Sequence, residues 1–335
     1  MGPSAATALA EALNKSFALT ELDLSNNDVQ DAGAWALLRS LLPAREVEQA
    51  VGPPGDYLAT ITAWNERFVS AAAGSPGNLR MLKLRGCKMS PDGARKISGE
   101  LMRNPVLLGL DLQGTSIQGT GVSQIAVAMG SNPKYTGSPN TCLTCLSLQS
   151  CEAYAAGATH ISNMMLHNKH LRRLNISDNR IGHKGAAAVA KALAASPSLK
   201  VLNLAKNDLG EEGGTVIGEA LASNTTLKEL SLALNGIGDG GATSIAQGLS
   251  LNIRLCSLDL HLNPMSALGT YYVGVAIKSK PLAQARQDRR LRVTGLQPHS
   301  QTLEELPRIL TSAHYEEVIR MKKIPLPEHL EAIRK

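Results

Sequence analysis

The chain has 335 residues, of which 43% are hydrophobic and only 3% aromatic, and 34 Lys and Arg stand against 28 Asp and Glu for a formal charge of +6. Its longest charge-free stretch, Leu112–Pro133, is full of Gln, Ser, Thr and Gly, which excludes a membrane-spanning helix there. Five cysteines, an odd number, argue against a disulfide framework and for reduced thiols in a cytoplasmic setting.

From the N-terminus, Met1-Gly-Pro-Ser-Ala-Ala lacks the basic start of a secretory leader, and Ala6 stands where a myristoylation signal needs Ser or Thr. Ala6, Leu9, Ala10 and Leu13 are spaced for one helix face. Residues 1–18 are therefore expected to form a half-unit, a helix without its strand, acting as a cap.

At Leu19 a phrase begins that then returns along the chain. It runs Leu-x-x-Leu-x-Leu-x-x-Asn-x-Leu/Ile, with Gly four residues later, as in Leu199, Leu202, Leu204, Asn207, Leu209 and Gly213. Eight copies align on Leu19, Leu79, Leu107, Leu143, Leu171, Leu199, Leu227 and Leu255, with Gly in phase from Gly33 to Gly269. The steps are 60, 28, 36 and then 28 throughout, so two insertions interrupt a strict 28-residue period. In Leu202-Asn203-Leu204 apolar and polar side chains alternate, which predicts a short half-buried strand. After Gly213, the spacing of Val216, Ile217, Ala220 and Leu221 predicts a helix. Ordering one unit costs at least about 1 kcal/mol per residue in backbone entropy. About seven buried apolar side chains at about 1.5–3 kcal/mol each do not offset that. The units must stack on one another, and a stack offers a long surface rather than a deep pocket.

The first insertion, 43–77, is bracketed by Pro43, Pro53-Pro54-Gly55 and Ser75-Pro76-Gly77. Between the breakers a helix is expected over Asp56–Ala73, and it places Tyr57, Ile61, Trp64 and Phe68 on one face. That face either covers a seam between units or anchors a partner. The second insertion, 133–140, falls at the same helix-to-strand junction, so both should project from one rim. The Asn slot is held by Asn in units 1 and 5–8 but by Cys87, Thr115 and Cys151 in units 2–4. Cysteine is a weaker hydrogen-bond partner than an amide, so the middle of the stack is expected to be less rigid.

After Gly269 a helix continues in phase to Lys278, but Ala283 stands where the next leucine belongs, and no further strand is expected. Residues 281–335 are read instead as a basic cap and docking tail. From 278 to the end there are 12 Lys and Arg against 7 Asp and Glu, leaving 22 against 21 in the rest. The tail cations Arg320, Lys322 and Lys323 are candidate partner contacts, suited to an acidic surface.

Cys142-Thr-Leu-Cys145 with Cys151 invites a metal site, but Cys151 fills the Asn slot and no second CxxC or His pair stands at ligand spacing. His160, His167 and His170 lack an orienting carboxylate, and nucleophile-elbow, P-loop, dinucleotide and HExxH phrases are missing. No catalytic residue, metal or cofactor is expected. The positions lining the concave face, from Asp23 and Ser25 to Asp259 and His261, mix charges and include no aromatic. Arg and Lys are not interleaved with stacking aromatics, which disfavours nucleic acid as a partner.

These phrases, with helix text such as Gly185-Ala-Ala-Ala-Val-Ala-Lys-Ala-Leu193, make the chain resemble the ribonuclease-inhibitor-like leucine-rich repeat proteins. The resemblance covers about residues 5–280. It implies an α/β solenoid, a curved arc with parallel strands on the concave face and helices on the convex face, its eight repeats filling 19–280. It also implies a non-enzymatic scaffold for protein partners in a multi-subunit assembly, cytoplasmic and of cytoskeletal or ciliary type; the basic tail suits an acidic partner surface such as tubulin. The alternative implied is a regulator of a small GTPase of the Ran-activator type. Those proteins typically end in an acidic segment, whereas this tail is basic.

Overall fold

The computed structural model describes residues 1–13, 18–42, 79–130, 140, 142–278 and 291–296. Strands of three residues alternate with helices: α1 (Pro3–Leu13), β1 (Glu21–Asp23), α2 (Gln30–Ser40), β2 (Met81–Lys83), α3 (Pro91–Arg103), β3 (Gly109–Asp111), α4 (Gln118–Met129), β4 (Cys145–Ser147) and α5 (Tyr154–His167). They continue with β5 (Arg173–Asn175), α6 (Gly182–Ala195), β6 (Val201–Asn203), α7 (Gly210–Ser223), β7 (Glu229–Ser231), α8 (Asp239–Leu251), β8 (Ser257–Asp259), α9 (Ala267–Lys278) and β9 (Arg292–Thr294). The strands form one parallel sheet in chain order, β1 to β9. The expected α/β solenoid is what the chain forms.

The register follows from the leucines. Leu22 pairs with Leu82, Leu82 with Leu110, and so on through Leu146, Leu174, Leu202, Leu230 and Leu258. From Leu82 onward these central leucines are buried beneath the sheet, while their strand neighbours face outward. A one-residue slip would turn every leucine to solvent, so the pattern fixes the pairing. The helices cover the inner face with their apolar sides: Ile217, Ala220 and Leu221 of α7 are buried, as are Val189, Ala192 and Leu193 of α6. At α7 and α8 the packing is closer still. A Cβ at Gly218 would lie 2.4 Å from the carbonyl carbon of Ser244.

Two ladders of asparagine run through the stack. In the first, the Asn207 amide donates to the carbonyls of Ile176 (2.9 Å) and Leu204 (3.0 Å), and its oxygen accepts the Asn179 N–H (2.9 Å). Asn235 does the same for Asn207, and Asn263 for Asn235. Each side chain thus closes its own turn and binds the previous unit. At Cys87 and Thr115 the backbone N–H turns back on its own repeat instead, to the carbonyls of Leu84 and Leu112 at 3.2 Å each. The second ladder was not apparent in the repeated phrase. Three residues before the first leucine of several units sits a buried Asn. Asn224 donates to the Leu193 carbonyl (2.6 Å) and accepts the N–H groups of Thr226 and Leu227, and Asn140, Asn168 and Asn252 are placed alike. These side chains satisfy carbonyls at the C-termini of the preceding helices.

One expectation fails here. The stack does not end at β8, because β9 pairs parallel to it, Leu258 opposite Val293. The strand arrives seven residues late, and the slots that carry the first and third leucines elsewhere hold Arg290 and Gly295. Gly295 has φ +85, and a Cβ there would lie 2.2 Å from the His261 nitrogen, so the closing strand lies against β8 only because the position is glycine.

The helix over Asp56–Ala73, the insertion at 43–77 and the tail cations lie outside the described residues, as does all of 133–140 but Asn140. From the described ends, both insertions join a helix to the following strand, α2 to β2 and α4 to β4.

Candidate interaction surface

Among the described residues, the helices cover one face of the sheet and leave the other uncovered, and the residues on that face come from fixed slots. In the first three repeats they pair with one another. Lys83 meets Glu21 and reaches Asp23 at 3.8 Å, and Arg85 donates from Nε to Asp111 at 2.6 Å. Farther along, Asn175 donates to the Gln149 side chain (2.9 Å). Asp259 accepts from Ser231 (3.0 Å) and lies 2.6 Å from the His261 ring. Burial opposes ionisation of Asp259, but hydrogen bonds from His261 and Ser231 outweigh it and hold its carboxyl below the usual range. The Ser25 hydroxyl, followed by its N–H, does the same for Asp23. The charges of the first three repeats on this face satisfy each other, while Arg173 on β5 and Glu229 on β7 sit in no salt bridge among the described residues.

Where each strand turns out of the sheet, the eighth position of the repeat adopts a left-handed backbone: φ is +58 at Asn26, +56 at Asp178, +58 at Lys206 and +55 at both Leu234 and Leu262. Gly86 and Gly114 take the same slot in repeats 2 and 3. Asn and Gly reach this region at little cost, whereas for leucine it is strained. Leu234 and Leu262 are also 45% and 75% exposed. Two neighbouring repeats thus hold bare leucines at the C-terminal end of the strands, in a conformation that disfavours them.

The sequence-derived partner residues Tyr57, Ile61, Trp64, Phe68, Arg320, Lys322 and Lys323 all lie outside the described residues. The remaining tryptophan, Trp35, belongs to the helix layer: its indole donates to Glu100 (3.1 Å), which Arg103 also holds, and Arg39 sits 5.0 Å above the ring. Cys151 occupies the Asn slot, where its thiol donates to the Leu112 carbonyl (3.1 Å) and burial pushes its pKa up to about 11. Cys145 is on β4 beside Gly109 and Arg173. His160, His167 and His170 are exposed. Among the described residues no group of three or more His, Cys, Asp or Glu is placed to hold a metal ion. No helix among them is long and apolar enough to cross a membrane.

A family model described as Leucine Rich repeat matches residues 15–38, 167–190, 195–218 and 223–246. The chain is 28% identical over 211 residues to a ribonuclease inhibitor of Sus scrofa, covering 55% of this chain and 45% of that one. It is 26% identical over 186 residues to the NACHT, LRR and PYD domains-containing protein 13 of Homo sapiens, 55% of this chain and 14% of that one. It thus spans less than half the length of these relatives. Among solved structures, it is similar to the leiomodin-1 actin-binding site 2, with TM-score 0.35, 25% identity and coverage of 39% of this chain and 76% of that one. It is also similar to a TLR13–ssRNA13 complex, with TM-score 0.32, 15% identity and coverage of 58% and 31%.

Proposed function

For this chain, a leucine-rich-repeat protein of the ribonuclease-inhibitor-like class, we propose the role of a non-enzymatic scaffold that joins a larger intracellular assembly. Proteins of this class are in general protein-interaction scaffolds and are typically non-enzymatic. The observation that carries the reading is the nine-strand parallel sheet with one face sealed by helices and the other left uncovered by the described residues. Such a surface exists only because repeats stack, and it offers a partner a continuous row of backbone-fixed side chains. Self-paired charges in the first three repeats leave little to concentrate reactivity at one point there.

Within this role we place the chain in the cytoplasm, in a cytoskeletal or ciliary complex, docked by the aromatic face of the 43–77 insertion and by the basic tail. The support is compositional: the segment from 278 carries 12 Lys and Arg against 7 Asp and Glu. That excess suits an acidic polymer surface such as tubulin. The test is co-sedimentation with assembled microtubules, comparing the full chain with one lacking 296–335. Retention of both to the same extent would refute the docking tail, and retention of neither would refute the tubulin surface. Acceleration of GTP hydrolysis by a small GTPase would replace the scaffold with the enzyme-regulator reading.

A further inference from the structure

The residue following the first leucine of each repeat forms a column along the rim where helices lead into strands. The backbone proves the alignment: the N–H of Lys200 donates to the Arg172 carbonyl, that of Lys228 to the Lys200 carbonyl and that of Cys256 to the Lys228 carbonyl, each at 2.8 Å. Adjacent members are therefore about 4.8 Å apart, the spacing of neighbouring strands. Arg172, Lys200 and Lys228 thus come from three successive repeats, and Arg254 joins them from the turn before β8. Thr144 and Cys256 bound the cationic stretch in its column.

Arg172 donates one guanidinium N–H to the Ser198 carbonyl (3.0 Å), but two features leave the other three charges unclaimed among the described residues. Lys200, Lys228 and Arg254 make no ion pair or side-chain hydrogen bond among the described residues, and Glu229, the nearest carboxylate in sequence, sits in no salt bridge there. The helix carbonyls at this rim, which could have claimed the cations, are taken by the second asparagine ladder, Leu193 by Asn224 and Leu221 by Asn252. Burial, and then the like charges of Arg172, Lys228 and Arg254, lower the pKa of Lys200, which places Lys200 within reach of the field of the other three. On the same turn as Arg254, Leu251 and Ile253 are 67% and 63% exposed.

We propose that this rim of repeats 5–8 is a docking site for an acidic segment of a partner protein that also carries aliphatic side chains. Its carboxylates lie along Arg172, Lys200, Lys228 and Arg254, and its apolar side chains cover Leu251 and Ile253. The site rests on the scaffold reading and adds to it a location and a partner chemistry. A protein segment fits better than nucleic acid because the apolar members are aliphatic and offer bases nothing to stack on. Charge pairing of this kind sets register and speeds encounter, and the two leucine-type contacts supply the desolvated centre.

The test uses the full chain and a fluorescent 16-residue peptide of Glu and Leu, with Leu at every third or fourth position, read by anisotropy at two salt concentrations. The controls are the same peptide with Gln for Glu, a single-stranded DNA oligomer, and vesicles of phosphatidylcholine with a phosphoinositide. The Glu-Leu peptide should bind in a salt-dependent way, and the Gln peptide at least tenfold more weakly. The variant K200E/K228E/R254E should lose at least tenfold in affinity for the Glu-Leu peptide with its thermal unfolding unchanged, and L251S/I253S severalfold. R172K and K191E, the latter on the helix layer, should leave it within a factor of two. The proposal is overturned if the triple variant binds the Glu-Leu peptide as well as the parent, or if the DNA or the vesicles bind more tightly and lose most in that variant. An unaltered set of cross-linked partners in the triple variant would overturn the rim while leaving the scaffold reading intact. Failure of the parent to cross-link to any protein would overturn that reading itself.

Discussion

Replacing Asn207 by Ala tests whether the stack is held by its interlocked amides. Asn207 is fully buried, and its oxygen is the acceptor for the Asn179 N–H. Truncation orphans that N–H, at about 1–3 kcal/mol. It also removes donors to the carbonyls of Ile176 and Leu204, but these retain the amides of Asn179 and Asn235. Their loss adds about 0.5–1 kcal/mol each. The sum is about 2–5 kcal/mol. Cys151→Ala is the internal control, because the Thr115 N–H is already satisfied by Leu112 and only weak thiol donors are lost. It should cost about 1 kcal/mol. Urea unfolding of both variants gives the difference, and native-state hydrogen exchange should show the Asn179 amide exchanging faster in Asn207→Ala. Equal losses in the two variants, or an Asn179 amide as protected as in the parent, would refute the interlock.

Gly218→Ala should destabilise by about 1–3 kcal/mol, since the new Cβ would press on the Ser244 backbone, whereas Gly99→Ala, inside α3 with nothing within 4 Å, should stabilise by about 0.5–1 kcal/mol; thermal melts of the pair decide. Of the five thiols, Cys87 and Cys151 are buried with pKa values raised by burial, so at pH 8 an excess of a thiol reagent should modify at most three in the folded chain and five after denaturation. A fourth fast-reacting thiol would contradict the buried slots. Asp178 is held below its ordinary pKa of 3.8 by the Ser150 hydroxyl and, against the opposing effect of burial, by Lys206. A lowered folded-state pKa contributes stability above the unfolded value and loses it as pH falls through the folded one. Stability measured in urea should therefore be level above about pH 5 and decline below about pH 4, and Asp178→Asn should decline less steeply.

The repeat spacing made the sheet legible because each strand has only three residues and its central leucine must be inside; the pattern leaves one register. The concave slots were legible for the same reason. The second asparagine ladder was overlooked because its members, such as Asn224 and Asn252, precede the leucine taken as the start of each phrase, although the spacing Asn-x-x-Leu recurs in the sequence. The cationic column is invisible to charge summed along a segment, because repeats 1–8 are nearly neutral, and it emerges only down one slot. β9 escaped because Arg290 and Gly295 remove the two outer leucines that announce a strand. What identified it was contact with β8, a property of the neighbour rather than of the segment.

The two departures from the period, insertion and loss of Asn, fall in the same half of the chain, and geometry connects them. An interlocked Asn must meet the same turn on the preceding repeat, as Asn207 meets Asn179 and Asn235 meets Asn207 across 28 residues. Cys87 follows the 60-residue step and Cys151 the 36-residue step. Both still send their sulfur to the preceding repeat, to the carbonyls of Leu24 (3.3 Å) and Leu112 (3.1 Å), and face its N–H groups, Asn27 and Val29 at Cys87 and Thr115 at Cys151, with a sulfur that is a weaker acceptor than an amide oxygen. The side-chain interlock at this slot is thereby weakened across each inserted junction, while Asn179 to Asn263 keep the full exchange. The cationic column lies just ahead of β5 to β8, within that fully linked block, where successive backbones are held at constant pitch. A charged row can select a partner of matching spacing only if its own spacing does not drift. The backbone bonds from Lys200 to Arg172 and from Lys228 to Lys200 hold that spacing, and the second asparagine ladder, with Asn168, Asn224 and Asn252, closes the turns at the same rim.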